Sequence, residues 1–155
     1  MRHLSDYIKA KQEGMEVHLV TPLVGRLTPT IEVYPFREDV VNLIPTNIQY
    51  GIYRIGVVQG DEFRVKYFGR SDCNSGGLRQ RISDHLPEYN QNYYFWWSSK
   101  PNVEEAYKAE CCEYHTYFNI DGRKLNGNGI DVDNIYHPAK PAGLSIKCIF
   151  PLCNK

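Results

Sequence analysis

Apolar and polar positions alternate with period two over several short stretches, as strands do. In "EVHLVTP" Val17 and Leu19 share a side; in "TPTIEVYPF" Ile31 and Val33 do, and Pro35 ends the run. The same alternation runs through Tyr50 to Val58 and Phe63 to Phe68, on either side of Gly60 and Asp61. A β-hairpin is predicted there, with Phe63, Val65 and Tyr67 on one face. The aromatic run "NYYFWWSS" has strand character, and adjacent aromatics suit a sheet covered on both faces. "LSIKCIF" predicts a last strand.

Helical spacing fills the gaps. Leu4 to Glu13 predicts a short helix, with Ser5 as N-cap and Gly14 as stop. "REDVVNLIP" predicts a helical turn. Leu78, Arg81, Ile82 and His85 fall at i, i+3, i+4 and i+7, so they share one face of a helix over Leu78 to Leu86, ended before Pro87. Its leucine and isoleucine face the core, which leaves Arg81 and His85 at the edge, close to the sheet. "NVEEAYKAECCEYHTYF" predicts a longer helix, capped by Asn102 and with glutamates in its first turn. The central order is strand, strand, helix, strand, helix. This predicts an α+β fold: a small three-stranded antiparallel sheet flanked by helices, with residues 1–45 as an N-terminal α/β extension packed on a core of residues 46–155.

Composition narrows the functional classes. A chain of 155 residues, 42% hydrophobic and 23% charged, has the make-up of one folded domain and not of a disordered tail. Equal numbers of acidic and basic residues exclude nucleic-acid binding by bulk charge, so an anionic partner must meet a local cluster. Five irregularly spaced cysteines do not form a disulfide framework. The N-terminus lacks an apolar signal core, and no run is apolar enough to span a bilayer. A soluble cytoplasmic domain with reduced thiols is expected. Cys148 and Cys153, with His137 upstream, supply only one ligand pair, short of a structural zinc site.

The hairpin carries a tyrosine near each end, Tyr53 and Tyr67, and the next helix brings Arg81 and His85. Glu110 and Glu113 lie on a later helix with Ala106. These groups suit phosphodiester cleavage. A guanidinium fork grips phosphate oxygens, and a carboxylate holds a hard divalent cation. A phenol is a weak base unless nearby positive charge lowers its pKa from about 10.

Four segments, "GIY" at Gly51–Tyr53, "YFGRS" at Tyr67–Ser71, "LRQRISDH" at Leu78–His85 and "EAYKAE" at Glu105–Glu110, resemble the GIY-YIG nuclease family in order and predicted structure. The resemblance spans Tyr50 to Asn119 and extends towards Pro141. It implies a small antiparallel sheet flanked by helices and divalent-metal-dependent cleavage of DNA. It also implies roles for single residues. Tyr53 is then the candidate general base, and Tyr67 a hydrogen-bonding group at the reacting phosphate or water. Arg70 contacts the phosphate and Arg81 stabilises it, Arg81 being preferred to Arg79 by its distance from Leu78. His85 lies near the site, and Glu110 ligates one Mg2+ or Mn2+ ion. Asn119 is the asparagine beyond the helix, with Asn134 competing for that place; Arg79, Asn119 and Asn134 are the candidate substrate contacts. Two departures stand out. The tripeptides are separated by thirteen residues, longer than the family's usual spacer, which a longer turn would absorb cheaply. Phe68 replaces an aliphatic residue and is expected on the sheet face away from Tyr67. The alternatives are a non-catalytic nucleic-acid-binding or protein-interaction module on the same fold, and an RNA-directed or toxin-like nuclease.

Overall fold

The computed structural model describes residues 18–22, 31–60, 62–71, 76–89, 92–118, 132–133 and 138–139. The helix expected from Leu4, the strand expected in "LSIKCIF", and Asn119, Asn134, His137, Cys148 and Cys153 lie outside the described residues. The chain runs β1 (His18–Pro22), β2 (Ile31–Pro35), α1 (Glu38–Val41), β3 (Gly51–Gln59), β4 (Glu62–Ser71), α2 (Leu78–Ser83), β5 (Tyr94–Ser99) and α3 (Val103–Tyr117).

The fold is α+β, a sheet flanked by helices, but the sheet is larger than three strands. Four strands lie antiparallel in the order β2–β5–β3–β4. β1 pairs antiparallel with β2 and parallel with the start of β4, which closes the ladder on itself. The extra strands come from the N-terminal third. Val33 and Tyr34 are both buried although they point to opposite faces, and a backbone buried on both sides needs hydrogen-bonded neighbours.

Each face has its own core. Tyr34, Tyr53, Ile55, Phe95 and Trp97 pack with Val40, Val41 and Ile44 from α1 and just beyond it, and with Leu78 and Ile82 of α2. On the opposite face Val33, Phe63, Val65 and Phe68 pack with Tyr114, Tyr117 and Phe118, at the end of α3. Phe68 stacks on Tyr117 with ring centroids 5.6 Å apart. The aromatic run serves both faces: Phe95 and Trp97 join the first cluster, while Tyr94 and Trp96 flank the second. Asn102 caps α3, its side-chain oxygen accepting from the Glu105 amide at 2.9 Å.

The hairpin departs from simple alternation. Gln59 pairs with Glu62, so the long spacer lies in the strands. Gly60, with φ +63°, supplies the left-handed conformation that a two-residue turn requires. Further along, Gly56 pairs with Val65 but Ile55 pairs with Tyr67, which leaves Lys66 as an extra, bulged residue. One extra residue reverses which side the following side chains face. Phe63 and Val65 therefore point to the α3 face and Tyr67 to the α2 face, against the expectation that all three share a side. Gly56 fits the bulge because a Cβ there would collide with the Arg64 carbonyl. The Lys66 carbonyl accepts from the Asp133 amide at 2.6 Å.

α2 is shorter than expected. It stops at Ser83, and the chain continues in i→i−3 bonds from His85 to Ile82 and from Leu86 to Ser83. Pro87 disfavours the α conformation in the residue before it, so the last turn tightens. His85 is carried in over the sheet and is only 7% exposed.

Candidate active site

Tyr53 is the centre of the site. It sits in the middle strand, β3, with its side chain 1% exposed on the α2 face. Its partner across the ladder is Gly69. A Cβ at Gly69 would lie 2.5 Å from the Tyr53 hydroxyl oxygen and 2.8 Å from Cζ, so the phenol rests directly on the bare backbone of β4. This close approach is a physical reason for glycine as the third residue of "YFG".

Two residues earlier on β4, Tyr67 stands diagonal to Tyr53, with ring centroids 6.2 Å apart and planes 27° apart. His85 lies beside both rings, 5.5 Å from Tyr53 and 4.5 Å from Tyr67 between centroids. Its Nε2 is 2.8 Å from the Tyr53 hydroxyl. Nδ1 of His85 is buried and has no partner among the described residues. Tyr89 continues the row, 6.1 Å from Tyr67, and donates its phenol hydrogen to the Asp133 carboxylate. Asp133 thus holds the bulged strand through its amide and the aromatic row through its side chain.

Burial first, and charge second, set the protonation states. Burial holds the Tyr53 phenol well above its ordinary value; the Arg81 guanidinium beside it pulls the other way and does not prevail. Burial also raises Tyr67, again against the pull of Arg81. The Glu110 carboxylate is close enough to raise both phenols further. His85 is shifted down, by burial first and then by Arg81, so its imidazole is neutral at pH 7. Burial opposes the charge on Arg81, but the two phenols outweigh it and keep the guanidinium firmly protonated.

Tyr53, Tyr67, Arg81 and His85 are thus brought together on one face. Arg70 is not with them. Register places it opposite Ile52 on the α3 side, following Phe68. There its Nη1 donates to Glu110 Oε1 at 2.6 Å, its Nη2 donates to the Ala139 carbonyl at 2.7 Å, and its guanidinium lies 5.3 Å from the centre of the Tyr107 ring. Glu110 therefore has an arginine as its immediate partner. Arg79 faces elsewhere, into a polar cavity of about 320 Å³ lined also by Asn42, Thr46, Gln80 and Ser83.

A second ion pair on the α3 face anchors the glutamate helix. Arg54 Nε and Nη2 donate to the two Glu113 oxygens, each at 2.8 Å, and the guanidinium lies 4.4 Å from the centre of the Trp96 ring. Burial disfavours the Arg54 charge, yet Glu113 outweighs it and the group stays protonated. Sequence reasoning left Arg54, Tyr89, Asp133 and the packing role of Gly69 unassigned. Of these, only Gly69 carries a local signal, a glycine within an alternating strand.

Among the described residues, no three His, Cys, Asp or Glu side chains gather as a metal site. Glu110, the expected ligand of Mg2+ or Mn2+, is held instead by the Arg70 guanidinium. Cys111 is buried and Cys112 exposed, so the adjacent thiols do not act jointly. No helix among the described residues is long and apolar enough to cross a membrane. The chain matches no protein-family model, no curated protein and no solved structure.

Proposed function

We propose that this protein is a divalent-metal-dependent endonuclease that hydrolyses DNA phosphodiester bonds through a GIY-YIG-type site. The observation that carries the reading is the gathering of Tyr53, Tyr67 and His85 on one sheet face, with the charges of Arg81 and Glu110 acting on both phenols. Hydrophobic packing asks for none of these charges. DNA as the substrate rests on the resemblance of the four sequence segments.

The site's own groups divide the chemistry. Tyr53 is neutral before reaction, so it is no base by itself. It accepts a proton from water as its own proton passes to His85 Nε2, 2.8 Å away. The water oxygen bonds to phosphorus, the bond from phosphorus to the leaving oxygen breaks, the leaving oxygen takes a proton from solvent water, and the proton of the attacking water rests on His85 until solvent removes it. The depressed pKa of His85 keeps the imidazole free to receive it. Arg81 and the Tyr67 hydroxyl steady the charge that grows on the phosphoryl oxygens. Glu110 would hold a Mg2+ or Mn2+ ion, which would supply charge neutralisation at the phosphate.

Nicking of supercoiled plasmid in Mg2+ or Mn2+ tests the proposal, with Arg81→Ala and Glu110→Ala beside the natural protein. Loss of one preorganised charge contact at a transition state costs about 10²-fold or more, so both variants fall to background. Equal rates in all three proteins overturn the reading. Cleavage of RNA with DNA left intact moves the substrate class.

A further inference from the structure

We propose that the polar groove centred on Arg79 grips a backbone phosphate of the nucleic acid away from the scissile one, on the far flank of α2 from the phenols. The choice of a nucleic acid as ligand rests on the nuclease reading; the groove itself does not. It has a volume of about 320 Å³. One wall is the C-cap of α1 and the turn beyond it, which bring Asn42 and Thr46; the other is α2, which brings Arg79, Gln80 and Ser83. Leu78 and Ile82 turn one side of α2 to the core, while Arg79 and Ser83, four residues apart, share another. Asn42, Thr46 and Gln80 are exposed, so the groove opens to solvent.

The lining has the chemistry of a phosphate contact. Among the described residues Arg79 is its one charged side chain, and no ion pair or hydrogen bond there engages the guanidinium. Arg37, Arg54 and Arg70, by contrast, each face a carboxylate. The Asn42, Thr46 and Ser83 side chains are likewise unspent among the described residues. Gln80 spends one amide hydrogen on Asp84 at 2.8 Å and keeps the other. Arginine together with Ser, Thr, Asn and Gln is the set that binds the phosphate and sugar oxygens of a nucleic-acid backbone. An apolar ligand has no wall here to bury against. The chain carries no net charge, so a polyanion must be held by local cations. Two residues apart on a helix, Arg79 and Arg81 lie about 200° apart around its axis, across a width of about 10–12 Å. That width matches about three base steps of one strand at about 3.4 Å each. A strand whose reacting phosphate lies at Arg81 thus presents a further phosphate to Arg79. The groove sets affinity and footprint, and the chemistry stays with the phenols.

The test measures binding of a fluorescein-labelled DNA duplex by anisotropy, with EDTA present so that nothing is cleaved, between about 50 and 200 mM salt. The full chain is compared with Arg79→Gln, Arg79→Lys, Ser83→Ala and Arg37→Gln, the last removing an equal charge from an exposed pair with Asp39. Arg79→Gln binds about ten-fold more weakly, the factor that one charge-assisted hydrogen bond is worth. Its slope of log affinity against log salt falls by about 0.9, the value of one neutralised phosphate. Arg79→Lys keeps the slope, and Arg37→Gln keeps both slope and affinity. Ser83→Ala weakens binding and leaves the slope alone, since a hydroxyl neutralises no charge. Unchanged slope and affinity in Arg79→Gln overturn the proposal, as does an equal fall of the slope in Arg37→Gln, the mark of bulk charge. If Arg79→Gln does not fold, Ser83→Ala decides, and unchanged binding there overturns it. Calorimetry with inorganic phosphate is the second arm: phosphate bound through Arg79, with duplex affinity the same in Arg79→Gln, makes the groove a site for a free anion and overturns the proposal. The outcome separates from that of the nuclease reading. A natural protein that nicks no DNA, yet loses slope in Arg79→Gln, sinks the nuclease and leaves the groove standing; nicking abolished by Arg81→Ala, with the slope unmoved in Arg79→Gln, does the reverse.

Discussion

Gly69→Ala is the sharpest probe of how the site is built, because it adds one methyl group at one known place. The backbone at Gly69 has no positive φ, so alanine is acceptable there on conformational grounds. The added carbon meets the Tyr53 hydroxyl oxygen at 2.5 Å, Cζ at 2.8 Å and Cε1 at 3.2 Å, where ordinary contact begins at 3.4 Å. Tyr53 must yield nearly an ångström. It is 1% exposed and has His85 at 2.8 Å, so it cannot swing into solvent. Overpacking of this kind costs roughly 1–3 kcal/mol, and the stiffer unfolded chain returns about 0.4–1 kcal/mol. The net loss is about 1–2 kcal/mol, a fall of roughly 3–6 °C in Tm for a chain of this size. Misplacing a reacting group by about 1 Å costs about 10²-fold in rate. Thermal unfolding and plasmid nicking measure the two effects. Because Tyr53→Phe deletes the atom in closest contact, Gly69→Ala costs less in that background, with a coupling of at least about 0.5 kcal/mol. Tm and nicking rate both unchanged in Gly69→Ala, or strict additivity with Tyr53→Phe, would refute the reasoning.

Two more perturbations follow from the electrostatics. Glu113→Gln leaves the Arg54 charge buried without its partner and costs about 3–5 kcal/mol, whereas Arg54→Met/Glu113→Leu together costs less than either single change; urea unfolding reads both, and a Glu113→Gln protein within about 0.5 kcal/mol of the natural one contradicts the account. His85 is faced by Tyr53, Tyr67, Tyr89 and Arg81, with Asp84 and Glu88 nearby, and its folded pKa lies below the unfolded value of about 6.5. Its contribution to stability is therefore complete above the unfolded pKa and is lost as pH falls through the folded one. Tm declines on that acid limb, and His85→Gln removes part of the decline; an identical pH profile in both proteins shows that His85 is not the group responsible.

Local periodicity carried much of the fold. The two strands of the hairpin, the Leu78/Ile82 face and the Asn102 cap depend on near neighbours, and near neighbours are what a pattern records. Pairing of β2 with β5, and of β1 with β2 and β4, depends on long-range hydrogen bonds that leave no local mark. The sheet is therefore wider than its alternation implied. The site divides in the same way. Tyr53, Tyr67, Arg81 and His85 meet because a hairpin and its following helix bring them together. Arg70 is three residues beyond Tyr67 on the same strand, an odd offset that puts it on the other face, where it meets Glu110. Strand parity alone carried that signal. The Glu110–Arg70 and Glu113–Arg54 pairs, and the tether from Asp133 to Tyr89, join distant segments and were not legible.

The bulge at Lys66 decides what the hairpin is for. With Gln59 opposite Glu62 and no extra residue, the ladder would continue Val58–Phe63, Val57–Arg64 and Gly56–Val65, then set Ile55 against Lys66 and Tyr53 against Phe68. Phe68 would then stand over His85, and Tyr67 would turn towards α3 with Arg54 and Glu113. Inserting one residue moves Gly69 opposite Tyr53 and returns Tyr67 to its side. The spacer between the tripeptides is thus constrained in parity more than in length. Residues added in pairs, one to each strand, leave the phenols facing each other, while a single added residue must be absorbed by a bulge. Such a bulge needs a glycine across from it, where Gly56 meets the Arg64 carbonyl, and a donor for the bulged carbonyl, which the Asp133 amide supplies to Lys66. Both are present, which is why a thirteen-residue spacer still delivers two phenols to one imidazole.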